Sequence, residues 1–314
     1  MTQKSLTFDE CKQLSSRIIA MNPNRRANMG QISSHLLDYY TELTKQPWLA
    51  QLVGQIRDLT AQQNQMMQEE MKAGETYQQL DRKVSDLKKQ LPFRSPHYFH
   101  FLEDHRAQKF IDPEAFTFQT TVDIDNPEEV EPAVKNALLL NGMFDEPTEK
   151  LFREKIFSAE DIELWKGKVL HIERSARNKA HIDIRIPVGM TIAEAQSAFC
   201  KLIHATEDPS CVTPERIIFI TDAASQIYTA DDWYKRLDKE AVAEYREAYR
   251  KRGLDIDGRP MNIDSAPTVD FQPVESEEEK TGKTANTVQY EQTYDGVPYE
   301  EIVKSLVDLM GGAP

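Results

Sequence analysis

Two aspartates one residue apart, Asp123 and Asp125 in Thr121-Val122-Asp123-Ile124-Asp125-Asn126, have the residue types and spacing to hold a divalent cation. Successive side chains of a strand point to opposite faces. The pattern therefore puts Thr121, Asp123 and Asp125 on one face and buries Val122 and Ile124 on the other. Carboxylates that close repel unless a cation lies between them, and hard oxygen ligands favour Mg²⁺ or Mn²⁺ over zinc. In a chain with 52 acidic residues, the same Asp-x-Asp also describes a solvated strand edge or a turn. A second Asp-x-Asp, Asp255-Ile256-Asp257 directly before Gly258, reads as a turn.

A second polar surface follows. Ser175 to Lys179 reads as a turn leading into a strand whose His181, Asp183 and Arg185 share one face, with Ala180, Ile182, Ile184 and Ile186 on the other. A solvent-facing strand with a structural histidine has the same pattern. Further along, Glu207-Asp208-Pro209-Ser210-Cys211 is a turn-like acidic segment ahead of the strand-like Arg216-Ile217-Ile218-Phe219-Ile220. Taken alone, Asp208 is a turn residue.

These side chains need a scaffold, and 314 residues with 39% hydrophobic content can bury the core of one large domain or two modest ones. No apolar run reaches the roughly 20 residues of a membrane span, and the N-terminus lacks the order of a secretion signal. A cytoplasmic protein with no membrane partner is expected. Cys11, Cys200 and Cys211 are odd in number and without zinc-site spacing, which points to reduced thiols. A net charge of -14 argues against a sequence-independent DNA clamp, so any contact with nucleic acid must be local, metal-mediated or shared with another domain.

Four regions are expected. Residues 1–91 read as helices. A seam at Ile56, Leu59, Gln63, Met66, Glu70, Ala73, Tyr77, Leu80, Val84, Leu87 and Leu91 alternates steps of three and four, as in a helix hairpin or coiled coil that packs within the chain or forms a modest dimer. Pro92 closes it. Residues 92–252 read as an α+β domain, with strands at 116–118, 121–124, 169–172, 182–186 and 217–220. Its helices are Glu128 to Leu140 after Asn126-Pro127, Thr191 to Ile203 with a Thr191/Glu194 capping box, and Asp232 to Arg252. There is no GxxxxGK[ST] phosphate loop. Residues 253–296 read as a disordered acidic linker, and 297–314 as a short helix at the start of a further domain.

An Asp-x-Asp strand, a His-bearing strand and a later acid with an Arg shortly beyond it resemble, in that order, the archaeo-eukaryotic primase superfamily. Its primase-polymerases use a DxD/E pair, an S-x-H and a final acid. The likeness is closer to the primase-like N-terminal domains joined to virulence-associated-E-type helicases of phages and mobile elements. Lys88-Lys89-Gln90-Leu91-Pro92 resembles the lead-in, Asp123-Ile124-Asp125-Asn126 the first motif, and Asp208-Pro209-Ser210 to Thr221-Asp222 the third. The resemblance spans roughly Leu87 to Tyr228. It departs at Lys179, which stands at the motif serine, and no glycine precedes His181. Lys179 either serves a nucleotide phosphate as a point charge or marks a decayed pocket.

The resemblance implies a primase-polymerase-like domain with a mixed or antiparallel sheet and flanking helices. Asp123, Asp125 and Asp208 would hold two Mg²⁺ or Mn²⁺ ions, and His181, Lys179, Arg177 and Arg216 would bind the triphosphate of the incoming nucleotide. Asp183 and Arg185 would support them. Implied partners are a single-stranded DNA template, nucleoside triphosphates and a replicative helicase of the same system. The expected activity is a DNA primase or primase-polymerase. Two alternatives stand beside it: a non-catalytic replication adaptor with the same fold that binds partners through its helical arm and acidic tail, and a metal-dependent nuclease, which the absence of a following Glu-x-Lys disfavours.

Overall fold

The structure, a computed structural model, describes residues 36–68, 75–104, 106–142 and 153–261, together with 293–294 and 297–298. It is an α+β fold built on antiparallel sheet.

The chain enters through three helices, α1 (Leu36–Thr44), α2 (Pro47–Gln68) and α3 (Glu75–Lys88). Helices α2 and α3 form a hairpin along the expected seam, with Ile56, Gln63, Val84 and Leu91 buried. Gln63 is tolerated there because its amide donates to Asp81 Oδ1 at 3.1 Å and accepts from Arg177 at 2.9 Å. Glu70 and Ala73 of the seam lie outside the described residues. The apolar face of the arm is spent on its own chain: Tyr40, Leu43, Leu49, Val53 and Ile56 pack in one cluster with Leu170, Ile220, Trp233 and Tyr234.

A two-residue strand, β1 (Phe93–Arg94), follows and pairs with the later β5 (Ile218–Phe219). The main sheet has four antiparallel strands, β2 (Gln119–Ile124), β3 (Val169–Arg174), β4 (Ala180–Arg185) and β6 (Gln226–Thr229), in the order β2-β4-β3-β6. Val122, Ile124, Ile172, Ile182 and Ile184 face a core shared with α4 (Pro127–Leu140) and α6 (Ile192–Ile203), while α5 (Ala159–Trp165) contributes Trp165. Local chemistry starts these helices. The Asn126 side chain accepts from Glu128 N ahead of Pro127, and the Thr191/Glu194 capping box forms with both bonds.

The opposite face of the sheet is polar and buried. Asp183 takes both terminal nitrogens of Arg94, at 2.9 and 3.1 Å, and the Trp233 indole at 2.6 Å. His171 stacks on Trp233 with ring centroids 4.1 Å apart. Charges this deep survive because each is paired and hydrogen-bonded.

Several expectations are corrected. Residues 116–118 are not a strand: Asp112 caps a short turn at Pro113–Ala115, and Phe118 has a φ of 55°, which no ladder accommodates. The helix expected from Asp232 is α7 (Lys239–Lys251), capped by Asp238. Residues 232–234 turn instead, because burying Trp233 and Tyr234 against the sheet outweighs local helical preference. The acidic linker does not begin at 253. Asp257 is buried, accepting from Tyr98 Oη at 3.0 Å and Arg259 Nε at 2.6 Å, so residues 253–261 belong to the fold. Asp255-Ile256-Asp257 is a turn as expected, and Gly258 permits it: φ is +77° and a Cβ would lie 2.9 Å from the Tyr249 ring.

Contacts divide the chain at Asp264/Ser265. In the second unit, Thr293–Tyr294 pairs with Val297–Pro298, where a helix was expected to open. The remainder of 297–314, and of 262–292, lies outside the described residues. No helix among the described residues is long and apolar enough to cross a membrane.

Candidate functional site

Strand register builds the site. β2 and β4 set Asp123 opposite His181, and β4 and β3 set His181 opposite Glu173, so the three side chains form a row across three strands. Glu173 is fully buried, with Oε1 3.0 Å from His181 Nδ1 and Oε2 accepting from Thr221 Oγ1 at 2.8 Å. Burial works to raise the Glu173 pKa, but the hydrogen bond from His181 and the charges of His181, Arg94 and His171 hold it below the ordinary carboxylate range. Burial lowers the His181 pKa, and the negative charges of Asp123 and Glu173 outweigh it, leaving the imidazole raised. With Nδ1 engaged by Glu173, Nε2 faces Asp123 at 3.8 Å.

Asp208 arrives from the other side. Capping the short turn Pro209–Val212, it accepts from Ser210 N at 2.9 Å, Ser210 Oγ at 2.8 Å and the Cys211 thiol at 3.5 Å. Its own burial opposes ionisation, but these bonds and Arg216 prevail and lower its pKa. Ligand atoms of Asp123, Asp208 and Cys211 all lie within 4.8 Å of one another. Burial pushes the Cys211 thiol far up, and the thiol donates to Asp208. The effective donor set is two carboxylates, whose hard oxygens fit Mg²⁺ or Mn²⁺. A cation already spans them: Arg216 Nη2 is 3.2 Å from Asp123 and 3.6 Å from Asp208.

Asp125 is not in that group. Strand β2 ends at Ile124, and Asp125 on the following turn pairs with Lys179 Nζ at 2.6 Å, more than half exposed. Asp183 and Arg185 stand apart too. Asp183 belongs to the buried Arg94 pair, and Arg185 bonds Thr117 O and Asp232.

Asp123, Asp125, Asp208, His181, Lys179, Arg177 and Arg216 nevertheless all line one cavity of about 270 Å³. The Ser175–Lys179 turn delivers two of its cations. Ser175 Oγ accepts from the amides of Arg177 and Lys179, and Asn178 takes the left-handed conformation that asparagine tolerates, with φ 61°. Lys88, Ser210 and Glu173 escaped the sequence reading as site residues. Alternation along His171-Ile172-Glu173 carried the signal for Glu173; Lys88 and Ser210 stood in the segments likened to the lead-in and the third motif, with no role of their own. A larger cavity, about 570 Å³, is lined by Leu254, Pro260 and Met261 with one acid, Asp257, already bonded to Tyr98 and Arg259. It gathers no comparable set of reactive groups.

The fold and site thus define an α+β domain carrying a carboxylate pair within a cavity lined by both acidic and basic side chains. Comparison with protein-family models, with curated proteins and with solved structures returned no match.

Proposed function

We propose that this protein is a template-directed nucleotidyltransferase, a primase or primase-polymerase working on single-stranded DNA beside the replicative helicase of a phage or mobile element. One observation carries the proposal: Asp123 and Asp208, distant in sequence, meet in one cavity ringed by His181, Arg177, Lys179 and Arg216. Asp123 and Asp208 would hold the divalent ions, with Asp125 at the cavity edge. When bound, Mg²⁺ or Mn²⁺ supplies a lowered pKa at the attacking 3′-hydroxyl and neutralises charge on the α-phosphate and the leaving pyrophosphate.

The chain's own groups do the rest. Lys179 and Arg216 offer charge-assisted hydrogen bonds to the triphosphate and fix it for in-line attack, with Arg177 at the edge of the cavity. Glu173 holds the His181 ring by accepting from Nδ1, which turns the Nε2 edge toward Asp123 and the cavity, where the imidazolium form donates. The test is nucleotide incorporation on single-stranded DNA with Mg²⁺ or Mn²⁺. Asp123→Ala or Asp208→Ala should lower it at least about a hundredfold. Incorporation unchanged by both would refute the assignment.

One observation favours a non-catalytic adaptor instead. Arg216 already pairs with Asp123 and Asp208, and Lys179 with Asp125, from within the chain. An adaptor binds its partners with no turnover under any divalent ion, which the same assay detects.

A further inference from the structure

Lys88, the last residue of α3, is a cation in no ion pair among the described residues. Lys89 pairs with Asp86 and Lys179 with Asp125, whereas Lys88 Nζ rests 5.3 Å from the centroid of the Phe219 ring. Burial lowers its pKa, and Arg177 and Lys179 add to that against the nearby Asp123 and Asp125. A half-buried ammonium held this way gains from an anion that the fold itself does not provide.

Its position says which anion. Lys88, Arg177 and Phe219 line the catalytic cavity, and the same three line an adjoining cavity of about 460 Å³ that runs along α3 away from the carboxylates. Val84, Ile217 and Phe219 give this second cavity apolar wall, and Lys89 adds a further cation. Its acid, Asp81, already accepts from Gln63. A triphosphate would occupy the first cavity alone. Repeating phosphates with flat apolar groups between them match both, since single strands bind where cations follow the backbone and aromatic or apolar wall meets the bases.

We infer that the groove between α3 and β5 is the track of a single strand of nucleic acid, with Lys88 and Arg177 on consecutive phosphates at the mouth of the catalytic cavity. This rests on the nucleotidyltransferase reading only for which strand it carries; binding itself needs no turnover. The groove also reconciles a net charge of -14 with a nucleic-acid partner, because its cations are local.

The test is fluorescence anisotropy of a labelled oligothymidylate with the full chain in EDTA, across a salt series. Lys88→Glu should weaken binding at least about tenfold, and Lys88→Ala should flatten the slope of log K against log salt by about 0.7. Arg177→Ala should act in the same direction, while Lys201→Ala, exposed on α6, should not. Melting by circular dichroism confirms that each variant is folded. Asp123→Ala should abolish incorporation yet keep oligothymidylate binding. Binding lost in Lys88→Glu with no incorporation by the wild type leaves the groove standing and removes the polymerase. Incorporation that needs Asp123 beside oligothymidylate binding indifferent to Lys88 and Arg177 overturns the groove alone. An effect of Lys88→Glu confined to nucleoside triphosphate affinity overturns it as well.

Discussion

Glu173 and His181 stand directly opposite each other on neighbouring strands, carboxylate to imidazole at 3.0 Å, with the carboxylate sealed from solvent and the ring opening onto the cavity. The pair joins the buried polar face of the sheet to the reactive edge. Replacing Glu173 by Gln removes a buried charge and leaves Arg94 and His181 under-compensated. The expected cost is about 3 kcal/mol of unfolding free energy, read by urea denaturation. A change below about 0.5 kcal/mol would show that the network is not coupled as described.

Stability should fall in mild acid. Burial depresses the pKa values of His97 and His171 to about 4, against about 6.5 in the unfolded chain. A depressed histidine is a group that the unfolded state protonates first. Its contribution is complete above about pH 6.5 and is lost as pH falls toward 4. His181, raised by Asp123 and Glu173, works in the opposite sense and offsets part of this. Two against one, the protein should lose on the order of 1–2 kcal/mol between pH 7 and 5, measured by denaturant midpoints. Constant stability across that interval would contradict the burial assigned to His97 and His171.

The helical arm is part of the core and not a detachable tether. Ile56 is fully buried in the cluster that contains Leu170 and Trp233. Ile56→Ala should destabilise the whole fold by about 2–5 kcal/mol in a single transition. A chain beginning at Pro92 should not fold cooperatively. If that shortened chain melted like the parent, the arm would be an independent module.

Arg216 competes with any cation for Asp123 and Asp208. Arg216→Ala should therefore raise Mn²⁺ affinity severalfold while weakening nucleoside triphosphate binding about tenfold or more. Titration calorimetry separates the two. A parallel fall in both would mean that Arg216 holds the carboxylates in place instead of competing for them.

Much of this was legible where the chemistry is local. Asn126-Pro127 and the Thr191/Glu194 box start helices wherever they sit, and the alternation of Thr121 to Ile124 and of Ala180 to Ile186 marks which side faces the core. Legibility ended where tertiary contacts decide. Trp233 takes its own segment out of a helical pattern because Asp183 and the second core receive it. Asp125 shares a motif with Asp123, but the strand stops one residue too early to keep both carboxylates together. Lys88 reaches the site only through the packing of α3, and Glu173, though alternation marks the face it takes, meets His181 only through the register of neighbouring strands.

The central claim is that Asp123 and Asp208 act as one divalent-cation site. Mn²⁺ binding to the full chain, followed by the electron paramagnetic signal of the free ion, tests it most directly. The expected result is binding that Asp123→Asn and Asp208→Asn each lose, that Asp125→Asn reduces less, and that Glu207→Gln leaves intact. Equal Mn²⁺ uptake by the wild type and both single variants would contradict the shared site and, with it, the catalytic role.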